Sequence, residues 1–177
     1  QLKRLVHVFE NNPTVPNLSF KFLLMTGSRL NEALKAKWSD IDIDSHVWVI
    51  PMENSKSKKT RSVPLNNGAI EALNKLDTKG KHEHLFVNKK TGKRYVQVYK
   101  AWLSATKAAG LTGIRCHDLR HTAASYYLKA NRNLREIQLI LGHADYKTTC
   151  KYAHLSTDTL QEAANSLDAE ISKALGK

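Results

Sequence analysis

A single β-rich stretch interrupts a chain whose other apolar segments follow a helical spacing. Two short runs, "HVWVIP" and "RSVPL", flank the basic loop "MENSKSKKT" and predict a hairpin, with Pro51 and Pro64 placing it at a sheet edge. Elsewhere, helix-like apolar patterns end at Gly27, Gly110 and Gly142. The sequence therefore predicts a mainly α fold with a small antiparallel sheet of about three strands (α+β).

The helical pattern predicts nine segments along the chain. Pro13 and Pro16 end the first helix, and Ser28 is the expected cap of the third. The ninth is a helical tail within residues 156–177, whose apolar stripe we expect to lie in the core. The segments read "LKRLVHVFE", "NLSFKFLLMTG", "RLNEALKAKW", Asn66 to Leu76, "YVQVYKAWLSATKAAG", "HDLRHTAASYYLKA", "NLREIQLILG", "YKTTCKYAHL" and "TDTLQEAANSLDAEISKAL".

The length predicts one domain over residues 1–177. A chain of 177 residues buries roughly two-thirds of the surface that it would expose when unfolded. It begins at Gln1 inside a helical pattern without an initiator methionine, so we expect a fragment. The longest apolar runs, such as "FLLM", are far too short to span a bilayer, and no signal peptide is visible, which favours a soluble protein with no membrane partner.

The charge balance favours a polyanionic partner. Lys and Arg number 28 against 16 Asp and Glu, a net charge of +12. Nucleic acid is favoured over a membrane surface, since no long basic amphipathic helix with an aromatic face is present. The two cysteines, Cys116 and Cys150, form no CxxC pair and suit a reducing compartment, although one disulfide stays open.

The stretch "HDLRH" places His117, Arg120 and His121 on one face of a predicted helix. It is similar to the zinc-protease pattern HExxH, with Asp in place of Glu. A zinc ion there would lie beside the positive charge of Arg120, which argues against a metal site. Histidines without a role on a helix surface are the plainer interpretation of these residues alone.

Other candidate residues each have an ordinary structural explanation. Arg29 follows a glycine near a helix start, where backbone N–H groups favour an anion, but it also fits a surface arginine. His143 follows Gly142 and could cap a helix, and Tyr152 could fill a helix contact. The basic residues of the hairpin could simply be solvated; they are Lys56, Lys58, Lys59 and Arg61.

The order and spacing of these residues together resemble the tyrosine recombinase family, and within it the integrases of phages and mobile elements. The resemblance rests on "TGSRLNEALKAKWSDID", a lysine before "RSVPL", "HDLRHTAAS" and "LGHADYKTTCKYAHL", and covers Thr26 to Tyr152. It implies the tyrosine recombinase catalytic-domain fold and a complete set of catalytic residues: Arg29, Lys56, His117, Arg120, His143 and Tyr152.

The resemblance also implies a role for each position. Tyr152 would attack a DNA phosphate, giving a 3′-phosphotyrosyl link and a free 5′-hydroxyl, while Arg29 and Arg120 clamp the non-bridging oxygens. The hairpin lysine would protonate the leaving oxygen; Lys56 keeps the family's distance to the strand, although Lys58 and Lys59 stay open. His117 and His143 would support acid–base transfer and hydrogen bonding, with Glu32 as a partner for arginine.

These residue types suit phosphoryl transfer. Guanidiniums bind phosphate oxygens bidentately and stay charged at physiological pH. A phenol has an ordinary pKa of about 10, and we expect the nearby cations to favour phenolate and a histidine to take the proton. No metal or other cofactor is needed, because the arginines do the work that a divalent ion does in nucleases. No ATP is needed, because the phosphotyrosine keeps the bond energy.

The family further implies double-stranded DNA with attachment or core sites as the partner. It implies a homo-tetramer on DNA, a monomer in isolation, accessory DNA-bending proteins, and a bacterial cytoplasmic or nucleoid location. Core-binding and arm-binding domains, usual on the N-terminal side, are absent from this sequence. The alternatives are a type IB topoisomerase, a non-catalytic DNA-binding module and a zinc hydrolase.

Overall fold

The structure is a computed structural model and describes residues 1–130 and 132–153. The predicted tail at residues 156–177 lies outside the described residues. The described part is mostly helical with one small sheet, as predicted. The helices are α1 (Leu2–Asn11), α2 (Val15–Thr26), α3 (Leu30–Lys35), α4 (Asn67–Asn74), α5 (Tyr99–Ala108), α6 (Asp118–Lys129), α7 (Leu134–Leu141) and α8 (Tyr146–Cys150).

The sheet has three antiparallel strands in the order β1-β2-β3. They are β1 (Ile41–Asp42), β2 (Val47–Ile50) and β3 (Arg61–Pro64). Trp48 pairs with Ile41 on one side and with Val63 on the other. The predicted hairpin is therefore β2 and β3, and Pro64 lies at the end of an edge strand, where a missing N–H is tolerated.

The third helix is shorter than predicted. Its cap is Arg29, not Ser28, because the Glu32 side chain accepts a hydrogen bond from the Arg29 backbone N–H at 3.0 Å. The helix ends at Lys35, since the backbone from Ala36 onward pairs with residues 83–85 instead. The segment from Thr78 to Gly92 thereby adds Leu85 and two further buried side chains to the core, Phe86 and Val87.

The main core surrounds α2, which is buried on nearly every side. Aromatic rings join it to the sheet and to α5: Phe22 lies 5.2 Å from Trp48 between ring centroids, and Phe20 lies 5.1 Å from Trp102. Gly27 ends α2 in the left-handed conformation, as predicted. α2 therefore holds the turn before α3 at a fixed place between the sheet and α6.

A second, smaller cluster joins α6, α7 and the turn that follows α8. Its buried members are Ala124, Leu128, Ile137, Leu141 and Tyr152. Tyr152 is 8% exposed and belongs to this cluster. The C-terminal described helices are thus held to one another by their own apolar contacts.

No helix within residues 1–130 and 132–153 is long and apolar enough to cross a membrane. Cys116 and Cys150 are both free thiols. Burial raises the pKa of the Cys116 thiol to about 12, so it stays protonated at neutral pH.

Candidate active site

Glu32 joins three parts of the fold at the start of α3. Its carboxylate accepts hydrogen bonds from Arg29 Nη1 at 2.9 Å and from Arg61 Nη2 at 2.7 Å. Both guanidiniums also donate to carbonyls at the C-terminal end of α7: Arg61 Nη1 to Ile140 at 2.7 Å and Arg29 Nη2 to Gly142 at 3.1 Å. Cations suit a helix C-terminus, where carbonyls lack intrahelical partners. The network ties α3, β3 and α7 together.

Burial alone would raise the pKa of Glu32, but Arg61 and Arg29 outweigh it and hold this pKa below its ordinary value. Burial lowers the pKa of Arg61, against the opposing effect of Glu32. Glu32 is therefore ionised at neutral pH, and its negative charge is divided between the two arginines. The sequence resemblance indicated Glu32 as a partner for arginine, and the geometry agrees.

Arg120 lies in the first turn of α6 and is 3% exposed. Its Nη1 donates to the Gly27 carbonyl at 2.7 Å, while its buried Nη2 has no hydrogen-bond partner within residues 1–130 and 132–153. Burial and the neighbouring Arg29 lower the pKa of Arg120 to about 10, so it stays positively charged at neutral pH. An unpartnered buried guanidinium N–H costs free energy unless an acceptor is bound, and an anion would supply one.

The Gly142–His143 corner follows the end of α7. Gly142 adopts a left-handed conformation, and His143 Nδ1 lies 2.8 Å from Thr149 Oγ1, which links the corner to α8. Burial, then Arg120 and Arg29, lower the pKa of His143 to about 4. The imidazole is consequently neutral near pH 7 and can hydrogen-bond an anion, but it adds no positive charge.

The phenol of Tyr152 lies near the Arg120 cation and the His121 imidazole. Its hydroxyl lies 2.5 Å from His121 Nδ1. Burial raises the pKa of Tyr152 while Arg120 opposes the shift. Arg120 acts in the expected direction, toward phenolate, but burial outweighs it, so Tyr152 is a protonated phenol at neutral pH.

The remaining two predicted residues lie outside the hydrogen-bonded cluster. His117 is the residue immediately before α6, and its ring packs edge-on against His121 at 4.8 Å between centroids. Lys56 is exposed in the loop between β2 and β3 and takes no part in the hydrogen bonds described above. The structure thus brings together the arginines, His143 and Tyr152, with His117 adjacent, whereas Lys56 stays in solvent.

Sequence reasoning missed two side chains in this cluster, Arg61 and His121. Arg61 looked like one more charge of the basic hairpin. The available signal was strand alternation, because Arg61 shares the inward face with buried Val63. His121 stands one helical turn from His117, a spacing that puts both rings on one face of α6.

The chemistry open to the cluster follows from its donors. In the described part of the chain, no group of three or more His, Cys, Asp or Glu side chains is placed to hold a metal ion. The cluster instead offers guanidinium N–H donors, imidazoles and one phenol. Such a set can bind a phosphate diester and present an oxygen nucleophile to it.

The sequence matches the phage integrase family over residues 1–159. It is 32% identical to an integrase of Salmonella phage P22, covering 84% of this chain and 41% of that protein. It is 33% identical to the tyrosine recombinase XerD of Bifidobacterium longum, covering 80% of this chain and 50% of that protein. The chain spans about half the length of these relatives.

Solved structures give the same result for the fold. The catalytic domain of bacteriophage HP1 integrase superposes with a TM-score of 0.67 at 28% identity, covering 92% of this chain and 89% of that one. The XerH recombinase in a pre-cleavage complex with its difH substrate superposes with a TM-score of 0.75 at 27% identity, covering 93% of this chain and 51% of that one. The fold is therefore that of tyrosine recombinase catalytic domains. The chain belongs to the phage integrase family.

Proposed function

We propose that this chain is the catalytic domain of a site-specific DNA recombinase that integrates or excises a mobile element. Tyr152 attacks a DNA phosphodiester, which leaves a 3′-phosphotyrosyl link and a free 5′-hydroxyl. A second 5′-hydroxyl then attacks that link and joins the exchanged strands. The observation that carries the proposal is the buried guanidinium of Arg120: within the described residues its Nη2 has no hydrogen-bond partner, and its charge interacts with both Arg29 and Tyr152.

The arginines bind and stabilise the scissile phosphate. In the trigonal-bipyramidal transition state, charge accumulates on the non-bridging oxygens, and donors fixed in advance stabilise it without reorganising. Arg120 is held by Gly27, and Arg29 is held by Glu32 and Gly142. Losing one such donor lowers the rate of comparable reactions by roughly 100- to 1000-fold.

The supporting groups complete the transfer. His143, neutral and tied to Thr149, donates a hydrogen bond to a phosphate oxygen. Lys56, on the exposed hairpin loop, protonates the leaving 5′ oxygen when DNA brings the hairpin down on the site; Lys58 and Lys59 are the alternatives on the same loop. His117 supports the proton transfers beside α6.

The partner is double-stranded DNA carrying an attachment or core site. Structural relatives include recombinases solved with DNA, among them XerH with difH, and the net charge of +12 favours a polyanion. The active assembly is a homo-tetramer on DNA, and the protein acts in the bacterial cytoplasm. A type IB topoisomerase shares the chemistry, but the relatives found are integrases and Xer recombinases.

Covalent trapping tests the proposal. The chain is incubated with nicked duplexes randomised in their central region, so that a short 5′-hydroxyl fragment diffuses away after cleavage and the adduct accumulates. A denaturant-resistant protein–DNA adduct should form with the unmodified chain and be absent with Tyr152→Phe. Sequencing the trapped DNA would then give the target site. DNA binding without any adduct would leave the non-catalytic binding module as the better account.

A further inference from the structure

The hydrogen-bond partner of the Tyr152 hydroxyl lies outside the set that the family resemblance supplied. His121 Nδ1 lies 2.5 Å from the Tyr152 oxygen, and the two ring centroids are 5.9 Å apart. His121 follows Arg120 directly in α6, so the helical turn that fixes the guanidinium also fixes this imidazole. The contact therefore joins the α6 site residues to the phenol.

Two geometric features suit His121 to accept a proton. With its own proton on Nε2, the ring presents Nδ1 to the phenol as an acceptor. His121 is solvent-exposed while Tyr152 is buried, so a proton taken up at the buried side can be exchanged with water at the other nitrogen. A protonated phenol needs such an acceptor before it can attack phosphorus.

The two histidines of the predicted catalytic set make other contacts. His143 Nδ1 pairs with Thr149. His117 packs edge-on against the His121 ring, at an interplanar angle of 88°. Among the described histidines, His121 has a nitrogen at hydrogen-bond distance from the Tyr152 hydroxyl.

Desolvation and the charged and titratable side chains near His121 determine its pKa. Partial desolvation of the exposed ring, where it packs against Tyr152, lowers the pKa of His121; Asp118 opposes this shift, and nearby cations add to it. The imidazole is consequently neutral near pH 7 and free to accept. Besides Tyr152, the facing groups are Arg115, His117, Asp118, Arg120, His143 and Lys151.

We propose that His121 is a catalytic residue that takes the Tyr152 proton during cleavage and returns it during joining. The inference rests on the proposed function. The Tyr152 oxygen forms the bond to phosphorus, the bond between phosphorus and the 5′ oxygen breaks, and the phenol proton moves to His121 Nδ1. The leaving 5′ oxygen takes a proton from the hairpin lysine. Joining reverses each transfer, so the imidazolium gives its proton back to the tyrosine oxygen.

The test measures single-turnover formation of the adduct by the full chain and its variants on the nicked duplex recovered from trapping. His121→Asn keeps an acceptor close to the position of Nδ1 but cannot carry a proton. We expect it to slow adduct formation by about 100-fold or more, with little change in DNA affinity. His82→Asn, at an exposed turn, should match the unmodified chain.

A sulfur leaving group distinguishes a defect in taking the proton from Tyr152 from a defect in giving a proton to the leaving group. In a duplex with a 5′-bridging phosphorothiolate, the departing thiolate needs no proton, because a thiol has a pKa near 8.5. The rate of adduct formation by Lys56→Ala should recover on this substrate, whereas the rate of His121→Asn should stay low. Recovery of His121→Asn to the unmodified rate would overturn its role as proton acceptor.

The pH profile distinguishes proton transfer from mere positioning. The rate of the unmodified chain should fall as pH drops through the lowered pKa of His121, below about 6.5, and His121→Asn should lack this fall. A variant that is slow but keeps the same acid limb would show a positioning role only. If the unmodified chain forms the adduct and His121→Asn forms it at the same rate, the role of His121 is overturned while the proposed function stands. If the unmodified chain forms no adduct, the proposed function is overturned as well.

Discussion

At the scale of single residues, the cluster depends on Glu32, a carboxylate that is 2% exposed between two arginines. Removing one partner of a buried ion pair leaves the other charges uncompensated. Arg29, which is proposed to bind phosphate, is therefore positioned by a carboxylate that has no proposed contact with the phosphate. Arg61 has the same kind of role from the strand side.

We predict that Glu32→Gln lowers the free energy of unfolding by about 3 kcal/mol near pH 7. The folded pKa of Glu32 is lowered, so its stabilisation is present above the unfolded pKa and is lost as pH falls through the folded one. The difference between unmodified and variant chains should accordingly shrink in acid below about pH 4. Urea unfolding at several pH values measures it.

Glu53→Gln, at an exposed position, is the control and should leave stability nearly unchanged. A Glu32→Gln effect that stays constant from neutral pH into acid would contradict the ion-pair account and point to packing alone.

At the scale of elements, the hairpin and α7 meet at Gly142. Its φ is +67°, and a Cβ there would lie 2.5 Å from Arg61 Nε and 2.7 Å from Arg61 Cδ. Contacts this short are not tolerated, so any side chain at position 142 must displace Arg61 from the Ile140 carbonyl. The close approach of helix end to strand therefore requires glycine.

We predict that Gly142→Ala destabilises the fold and slows adduct formation at least tenfold, because Arg61 is displaced and the His143 corner moves with it. Gly113→Ala is the matched control: its φ is +72°, but nothing lies within 4 Å of the added Cβ. The control should lower the free energy of unfolding only by the cost of placing a Cβ in the left-handed conformation, about 1 kcal/mol. Equal losses of stability and activity in the two variants would contradict this account.

At the scale of the whole molecule, the net charge of +12 bears on the strength and salt dependence of the proposed DNA binding. Each phosphate neutralised contributes about −0.9 to the slope of log K against log salt. We predict a slope of several units, measured by fluorescence anisotropy with duplex DNA. Tyr152→Phe should give the same slope because it changes no charge. A slope near zero would contradict phosphate-dominated binding.

Much of this protein could be predicted from its sequence. Periodicity and glycine stops identified the helices, and a β-rich pair around a basic loop identified the hairpin, because these signals are local and depend on backbone preference. The order of Arg29, His117, Arg120, His143 and Tyr152 pointed to one chemistry. Local patterns did not predict that α3 ends at Lys35, because the competing partner of that backbone lies almost fifty residues further along the chain.

Only the tertiary structure decided how the site is held and charged. The contacts of Arg61 with Ile140, of Arg29 with Gly142 and of Arg120 with Gly27 join residues far apart in sequence. The pKa of Tyr152 is raised and not lowered, because a pKa depends on burial as well as on neighbouring charge and burial is known only after packing. The sequence determined which groups are available; the fold decided which of them meet, and how much water each one keeps.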